Sequence, residues 1–216
     1  MKLSVKIKDV GDAGISPRDV RNYVGSIVDE KFINKAMWHQ RSSSPVIYPK
    51  VHRDGFEIVN YTNDIELMQH IKNRIDTHRI FYGENIDDVR FVNEQYNVPQ
   101  KGDKIYMSRT PLIIGVNPFE LRLLDCRTDS EYFKRYLNAR INDDVRYQIK
   151  NYLNLDITFD IKITPIEIKR IGVQYKDDVR LPAVVMKFHS THSLPRFLGY
   201  KTGLGWGEII KAKNFI

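Results

Sequence analysis

A glycine-rich stretch near the C-terminus is the feature that most constrains how this chain of 216 residues can fold. It runs from Gly199 to Glu208 and reads Gly-Tyr-Lys-Thr-Gly-Leu-Gly-Trp-Gly-Glu. Glycine adopts positive φ angles freely and lets the backbone approach another group closely. The stretch therefore predicts either a tight turn between two late strands or a loop whose backbone N–H groups bind phosphate oxygens. In the second case Lys201 adds a positive charge, and Trp206 offers a flat face to a nucleobase.

The charge distribution favours an anionic partner for this stretch. The formal net charge is +7 and the sequence pI is about 9.3. From residue 181 onward the acidic residue Glu208 stands against five basic residues, which are Lys187, Arg196, Lys201, Lys211 and Lys213. Such an excess is typical of nucleic-acid-binding proteins, although a solvated basic tail would have the same composition.

Composition also excludes several classes of protein. The single cysteine, Cys126, rules out an internal disulfide and fits a reducing compartment. The first residues, Met-Lys-Leu-Ser-Val-Lys-Ile-Lys, alternate between polar and apolar as a strand does, unlike a signal peptide. No apolar run reaches the ~20 residues that a membrane-spanning helix needs. We therefore expect a cytoplasmic protein with no membrane partner.

The first half of the chain predicts the order β-α-β-β-α-β, which is the ferredoxin-like arrangement. The predicted elements are a strand over residues 2–10, a helix from Pro17 to about Met37, strands over Pro45–Val51 and Gly55–Tyr61, a helix from Thr62 or Asn63, and a strand over His78–Tyr82.

The first helix is predicted to carry a row of functional side chains. Ser16-Pro17-Arg18-Asp19 combines a capping residue, a proline and an acid in the positions that favour a helix start. Ile27, Lys31, Lys35 and His39 follow at intervals of four residues. Residues four apart are neighbours on a helix surface, so a Lys-Lys-His row beside a buried stripe could bind a phosphate.

The second half is predicted to be α+β again, which suggests two domains over residues 1–115 and 116–216. The predicted elements are a helical region from Asp129 or Ser130, a second helix over Asn142–Tyr152, strands over Ile157–Ile168, Lys169–Tyr175 and Leu181–Ser190, and a final strand at Ile209 and Ile210.

Several sequence motifs of known chemistry are incomplete or absent in this chain. Lys201 does not follow a glycine as the lysine of a phosphate-binding P-loop does. A single cysteine without paired Cys or His spacing argues against a structural zinc site. Asp87-Asp88 and Asp143-Asp144 lie in polar segments and are typical of solvated helix starts or turns. We expect neither a metal nor a cofactor.

The histidines offer two kinds of chemistry. His39, with a helix lysine and Tyr48, could perform acid–base catalysis on RNA, whose 2′-hydroxyl is its own nucleophile. A histidine at a helix end is also a common cap. His189-Ser-Thr-His192 contains one His-x-Thr element of the two-histidine phosphoesterases, which require two such elements.

Taken in order, these features resemble the CRISPR-associated repeat-cleaving endoribonucleases of the RAMP superfamily, with the methanogen-type branch as the nearest fit. The resemblance rests on a first strand, a helix ending in His39, the segment Ser-Pro-Val-Ile-Tyr-Pro-Lys-Val that contains Tyr48, and the C-terminal Thr202-Gly-Leu-Gly-Trp-Gly207. It covers nearly the whole chain. The glycine loop is shorter than the family's usual form.

The resemblance implies two tandem ferredoxin-like domains, the second with a C-terminal glycine-rich loop. It also implies metal-independent cleavage of CRISPR repeat RNA to a 2′,3′-cyclic phosphate and a 5′-hydroxyl. The family's catalytic histidine corresponds to His39, its tyrosine to Tyr48, and its helix lysine to Lys31 or Lys35, of which we favour Lys31. The implied partners are repeat RNA and, further, other CRISPR effector subunits or a second copy in a homodimer.

RNA contacts are predicted for the glycine loop and for nearby basic residues, namely Gly199, Lys201, Gly203, Gly205, Trp206, Gly207, Lys187, Arg196, Lys169 and Arg170. Tyr200 and Trp206 could stack on bases or pack in the core. Two other functions stay open: a non-catalytic RAMP-fold subunit that binds guide RNA, and a cyclic phosphoesterase that uses His189 or His192.

Overall fold

The computed structural model describes residues 1–8, 14–32, 47–62, 64–92, 96–117, 120, 127, 129–176, 179–202 and 205–212. The chain divides into two compact units, formed mainly by Met1–Gln40 with Pro45–Tyr96 and by Asn97–Thr202 with Trp206–Ile216. Residues 97–115, which we predicted to be part of the first domain, group with the second unit. Whether either unit is an independent domain stays a prediction.

The first unit is a mixed α/β structure with an antiparallel sheet. Its elements are β1 (Lys2–Ile7), α1 (Pro17–Ile27), β2 (Ile47–His52), β3 (Gly55–Asn60), α2 (Ile65–His78), β4 (Ile80–Phe81) and β5 (Glu84–Val92). The sheet order is β2-β3-β1-β5-β4. The predicted order β-α-β-β-α-β is present, and β5 is an additional strand.

Alternation of side chains along the strands decides which sheet face packs on the helices. Leu3, Val5 and Ile7 of β1 are buried, and they share a core cluster with Val24 of α1 and Ile71 of α2. Their neighbours in sequence lie on the opposite face of the sheet, because successive strand residues alternate between faces. The helices therefore cover one face, and the polar residues of β1 and β2 lie on the other.

The start of α1 is confirmed, but its end is not where we predicted it. The Ser16 Oγ accepts a hydrogen bond from the Asp19 N–H (3.2 Å), and the Ser16 N–H donates to the Asp19 carboxylate (2.9 Å), which completes a capping box. The helix ends at Ile27 instead of Met37, because Val28 adopts an extended conformation with φ −81° and ψ 146°.

Side chains of α2 hold this helix end. The Arg74 Nε–H donates to the Ile27 carbonyl (2.6 Å), and the Asp29 N–H donates to His70 Nε2 (3.1 Å). Residues 30–32 are helical again after the break. The prediction of one continuous row from Ile27 to His39 is therefore wrong at its first step, and Lys35 and His39 lie outside the described residues.

The strand predicted over His78–Tyr82 is also different. It is the two-residue β4, which pairs with β5 at the sheet edge. Tyr82 (φ 47°) and Gly83 (φ 92°) both have positive φ, as the two central residues of a tight hairpin turn do. This turn reverses the chain, so β5, and not β4, pairs with β1.

The second unit contains a sheet of order β10-β6-β9-β7, with β8 paired to β9. Its described elements are β6 (Lys101–Ser108), β7 (Leu112–Ile113), α3 (Glu131–Leu153), β8 (Ile163–Lys176), β9 (Val179–His192) and β10 (Ile209–Lys211). The predicted final strand is confirmed as β10. The strands predicted over Ile157–Ile168 and Lys169–Tyr175 are one continuous strand, β8, so the predicted division is wrong, and the strand begins at Ile163 instead of Ile157.

The two helices predicted in the second half are the single helix α3. Its residues Asn138 and Asn142 bind the start of β8 and the residues just before it. The Asn142 side chain forms hydrogen bonds with the N–H and the carbonyl of Ile161 (3.0 and 2.8 Å). The Asn138 side chain forms hydrogen bonds with the N–H and the carbonyl of Ile163 (2.7 and 3.1 Å). Asparagine side chains thus satisfy the backbone where we predicted the start of a strand. No helix within the described ranges is long and apolar enough to cross a membrane.

We expect Gly55→Ala to destabilise the protein by about 3 kcal/mol, because the new methyl group cannot be accommodated. Gly55 has φ 150°, and a Cβ there would lie 2.1 Å from the Val5 carbonyl oxygen. Gly83→Ala is the matched control, since Gly83 also has positive φ but, among the described residues, no neighbouring atom lies within 4 Å of its Cβ position. It should cost about 1 kcal/mol. Urea unfolding measures both, and equal losses would contradict the prediction.

Candidate nucleic-acid interface

The two ends of the glycine stretch are held by the second unit's own backbone. The Tyr200 N–H donates to the Ile113 carbonyl, the Leu198 N–H to the Gly207 carbonyl, and the Gly207 N–H to the Pro111 carbonyl, each at 2.9 Å. These donors point into the protein and are not available to phosphate.

Close backbone approach explains why glycine is needed at these ends. A Cβ on Gly199 (φ 85°) would lie 2.6 Å from the Ile113 carbonyl oxygen, and one on Gly207 (φ 76°) would lie 1.8 Å from the Leu198 carbonyl oxygen. Gly205 (φ 86°), which groups with the first unit, would place a Cβ 2.3 Å from that of Pro17. The tight-turn interpretation therefore accounts for Gly199 and Gly207, and the close approach to Pro17 accounts for Gly205. Gly203 lies outside the described residues.

A buried carboxylate positions the start of the loop. Asp144 of α3 is 0% exposed and accepts a hydrogen bond from the Gly199 N–H (2.7 Å). Its other oxygen accepts a charge-assisted hydrogen bond from Arg140, one helical turn earlier. Burial alone would lower the pKa of Arg140, but the Asp144 carboxylate raises it above its ordinary value. We had interpreted Asp143-Asp144 as a solvated turn, which is wrong for Asp144.

Arg140 extends this contact to Tyr200. Its guanidinium donates to the Tyr200 hydroxyl (2.6 Å) and lies 3.9 Å from the centre of the ring. The Tyr200 and Tyr136 hydroxyls both donate to Glu120 (3.0 and 2.9 Å). Burial raises the pKa of Tyr200 to about 12, so this phenol stays neutral near neutral pH. Tyr200 is thus engaged with Arg140 on one ring face.

Glu120 is ionised in this network. Burial alone would raise the pKa of its carboxyl, but hydrogen bonds hold it below its usual range. The donors are the N–H groups of Val116 and Asn117 (2.8 and 3.2 Å) and the two tyrosine hydroxyls. The Tyr136 hydroxyl also lies 2.8 Å from the Ile114 carbonyl oxygen, so its one proton is shared between this oxygen and Glu120; the pKa of Tyr136 is raised by burial and by Glu120.

Trp206 packs on an apolar cluster formed by Ile113, Val173, Leu181 and Ala183. It is partly exposed, so it combines packing with an accessible ring edge or face. Lys201 has a positive φ of 61°, which places this lysine in the tight part of the loop. RNA binding by these two side chains stays a prediction.

The other predicted basic residues are not gathered at one place. Arg196 forms two hydrogen bonds with Glu208 (2.8 and 2.6 Å), so its charge is already paired. Lys169 and Lys187 lie on one face of the β8–β9 hairpin, because Lys169 pairs with Val185, two residues from Lys187. Arg170 follows Lys169 directly and therefore lies on the opposite face.

The candidate catalytic residues of the first unit have contrasting environments. Tyr48 on β2 is 0% exposed, and its ring packs edge-on against Tyr61 at 5.6 Å. Lys31 is exposed and lies 3.6 Å from Glu66. His39 and Lys35 lie outside the described residues.

A charged cluster on the same sheet face as Tyr48 was missed in the sequence. Glu57 is 9% exposed and accepts from Lys50 (2.9 Å) and Lys2 (3.1 Å), with His52 Nε2 at 3.3 Å. Burial alone would raise the pKa of Glu57, but these cations lower it to about 2. The register of a two-residue hairpin turn places Lys50 opposite Glu57, so the turn at residues 53–54 was the signal.

The two histidines of the phosphoesterase alternative are not brought together. His189 lies 3.4 Å from Asp103, whereas His192 Nδ1 is 3.1 Å from the Thr191 hydroxyl. Residues three apart on a strand lie on opposite faces of the sheet. In the parts of the chain that the structure describes, no three His, Cys, Asp or Glu side chains are grouped as metal ligands.

Comparison with known proteins gives the same fold at low sequence identity. No family model and no curated protein sequence matches the chain. The crystal structure of a Cas6b matches 98% of this chain and 100% of its own, with 15% identity and a TM-score of 0.63. The structure of a CRISPR RNA processing endoribonuclease Cas6b has 17% identity and a TM-score of 0.57 over 98% of this chain and 100% of its own.

A third match is an RAMP protein described as binding different RNA substrates, with 11% identity and a TM-score of 0.61 over 99% of this chain and 100% of that chain. These likenesses extend over nearly the full length of both chains. The chain therefore has the mixed α/β fold with antiparallel sheets that Cas6 and RAMP structures share.

We expect Asp144→Asn to destabilise the protein by about 3 kcal/mol, because it leaves the buried Arg140 without its counter-charge. The neighbouring Asp143→Asn is the control: Asp143 is 57% exposed and pairs with Arg146, so its loss should stay within about 0.5 kcal/mol. Urea unfolding followed by circular dichroism measures both. Similar effects of the two variants would contradict the role given to Asp144.

The Glu57 cluster should make stability depend on acid. The carboxyl has an ordinary pKa of 4.5 and a folded pKa of about 2. Because folding lowers the pKa of Glu57, its ionised carboxylate stabilises the folded state at pH values above the unfolded pKa. That contribution to the free energy of unfolding disappears as the pH falls from 4.5 towards 2. We expect Glu57→Gln to be less stable than wild type at neutral pH and to converge with it in acid. A gap that stays constant between about pH 7 and pH 3 would contradict this, with the exposed Glu131→Gln as control.

Proposed function

We propose that this chain is a metal-independent endoribonuclease that cleaves CRISPR repeat RNA by attack of the 2′-hydroxyl, giving a 2′,3′-cyclic phosphate and a 5′-hydroxyl. The observation that carries the proposal is the fold, which matches structures named as CRISPR RNA processing endoribonucleases over 98% of the chain. The net charge of +7 supports a polyanionic substrate.

The proposed chemistry needs three functions from the protein. A base removes the 2′-hydroxyl proton, an acid protonates the leaving 5′-oxygen, and a cation stabilises the charged phosphorane. We assign the acid or base to His39 and the cation to Lys31 or Lys35. We favour Lys31 because it lies nearer the buried stripe of the predicted helix and would be better fixed there, whereas Lys35 is closer to His39 in sequence. The Lys31 side chain is 67% exposed and lies beside Glu66.

Tyr48 has a narrower role in this proposal than in the sequence-based hypothesis. Its side chain is fully buried, so it cannot touch RNA in this conformation. We propose that Tyr48 helps to position the chain segment that contains His39 instead of transferring a proton itself. Exposed Lys169, half-buried Lys187 and the loop residues Lys201 and Trp206 remain the proposed RNA contacts.

We also propose that both units are variants of the ferredoxin-like fold. In the first unit, β2, β3, β1 and β5 have the order and antiparallel pairing of that fold, with β5 in place of its last strand. The methanogen-type branch, a cytoplasmic location, and association with other CRISPR effector subunits or a second copy belong to the same proposal.

A second candidate function is RNA binding without cleavage. It is favoured by the burial of Tyr48 and by the proximity of Lys31 to Glu66, since neither is poised to contact a scissile phosphate. The RAMP protein that binds different RNA substrates has the same fold.

The deciding experiment is a cleavage assay on a CRISPR repeat RNA in EDTA. We expect wild type to cut, His39→Ala to lose at least about a hundredfold in rate, and a substrate with 2′-deoxyribose at the cut site to resist cleavage, because general acid–base catalysis contributes roughly that factor. Lys31→Ala and Lys35→Ala, assayed in parallel, identify the lysine.

The controls separate the alternatives. His189→Ala should cut like wild type, since the phosphoesterase hypothesis alone requires it. Tight binding of the repeat without cutting would favour the RNA-binding function. Cutting that appears only when a divalent metal is restored would overturn the proposed mechanism.

A further inference from the structure

The first unit contains a cavity that the proposed catalytic mechanism does not use. It lies at the end of β1, beside the start of α1 and the β4–β5 turn, and has a volume of about 190 Å³. Its walls include Ile7, Ile15, Asp19, Phe81, Tyr82 and Glu84. Since a cavity of roughly 150 Å³ holds one benzene ring, this one has room for a single flat heterocycle.

An exposed but well-supported aromatic ring forms one wall. Tyr82 is 62% exposed, although its ring meets Phe81 at right angles (4.9 Å) and Tyr23 at a tilt (6.5 Å). Its hydroxyl donates to the Asp19 carbonyl (3.4 Å). The positive φ of 47° in the tight turn fixes the direction of the side chain further. Tyr82 is thus a preorganised surface for stacking.

The charged side chains that line the cavity are two carboxylates, those of Asp19 and Glu84. Asp19 Oδ2 receives the capping bonds from Ser16, whereas Oδ1 has no hydrogen-bond partner in the described part of the chain. No lysine or arginine among the described residues forms an ion pair with Glu84 or Asp19. A phosphate would be repelled here, and a ligand edge with N–H donors would be attracted.

We propose that this cavity binds a guanine base of single-stranded RNA, an inference that rests on the proposed function. The base stacks on Tyr82 and directs its N1–H and N2–H₂ donors at the carboxylate of Glu84, with Asp19 Oδ1 as a second acceptor. Bases of unpaired RNA are recognised in this way, by stacking on aromatic side chains and hydrogen bonds to their Watson–Crick edges.

Base chemistry selects guanine. Its Watson–Crick edge places two adjacent N–H donors opposite a carboxylate, whereas uracil presents one donor between two carbonyl oxygens, and adenine and cytosine each present one amino group beside an acceptor nitrogen. An arginine side chain of a protein partner would suit the same groups. The net charge of +7 favours RNA, because it attracts a polyanion and repels a cationic partner.

The test uses four fluorescein-labelled RNAs of about eight uridines in which one central position is guanosine, inosine, adenosine or uridine. Fluorescence anisotropy measures their affinities for the full-length protein at one salt concentration. We expect the guanosine RNA to bind about tenfold more tightly than the other three. Inosine is the sharpest comparison, because it lacks only the N2 amino group.

Two variants remove the two halves of the site. Tyr82→Ala should weaken binding of the guanosine RNA about tenfold, since base–aromatic stacking contributes about that much or more. Tyr82→Phe should retain it. Glu84→Gln should abolish the preference for guanosine over inosine and leave the uridine RNA unaffected. Melting temperatures confirm that each variant is folded.

Matched controls come from α3. Tyr132 is 64% exposed, a fraction similar to the 62% of Tyr82. Glu131 is an exposed carboxylate next to Tyr132 in sequence. Tyr132→Ala and Glu131→Gln should bind all four RNAs as wild type does. An equal loss in Tyr132→Ala and Tyr82→Ala would overturn the inference.

The cleavage assay distinguishes failure of this inference from failure of the proposed function. Cutting of repeat RNA by a wild-type protein that shows no preference for guanosine would overturn the inference alone. A protein that neither binds the four RNAs nor cuts repeat RNA would overturn both.

Discussion

The carboxylate of Asp144 joins the main helix of the second unit to the glycine stretch. It is fully buried, and its two oxygens receive the Gly199 N–H and the Arg140 guanidinium. Arg140 in turn holds Tyr200, so one acidic side chain determines where the loop leaves the sheet and how its first aromatic ring is oriented. A buried charge is tolerated only when it is paired and hydrogen-bonded, which explains why the contacts are so closely interdependent.

Local signals in the sequence were sufficient for elements whose determinants are neighbours in the chain. The capping box of Ser16 and Asp19, the hairpin turn before Gly55 and the alternation of β1 all led to correct elements. The end of α1 could not be predicted in this way. It is fixed by His70 and Arg74, which are more than 40 residues away in sequence.

In the candidate site, too, some features could be predicted from the sequence and others could not. The glycine stretch is recognisable because positive φ angles leave a compositional trace, and its tight ends are indeed required by backbone contacts. Asp144 leaves no such trace: next to Asp143 in a polar segment, only its position on the inner face of a continuous α3 distinguishes it. The paired Arg196 likewise shows that a basic residue near a loop can be committed to an internal carboxylate.

The asparagines of α3 show how a helix can take the place of a strand. Asn138 and Asn142 are one helical turn apart, a rise of about 6 Å. Ile161 and Ile163, which they bind, are separated along an extended chain by about 6.6 Å. These two distances are nearly equal, so each asparagine side chain lies opposite one isoleucine and forms a pair of hydrogen bonds with its backbone, as a neighbouring strand would. The start of β8 is therefore mechanically coupled to α3, and a displacement of either element is transmitted to the other through four directional hydrogen bonds as well as through apolar packing.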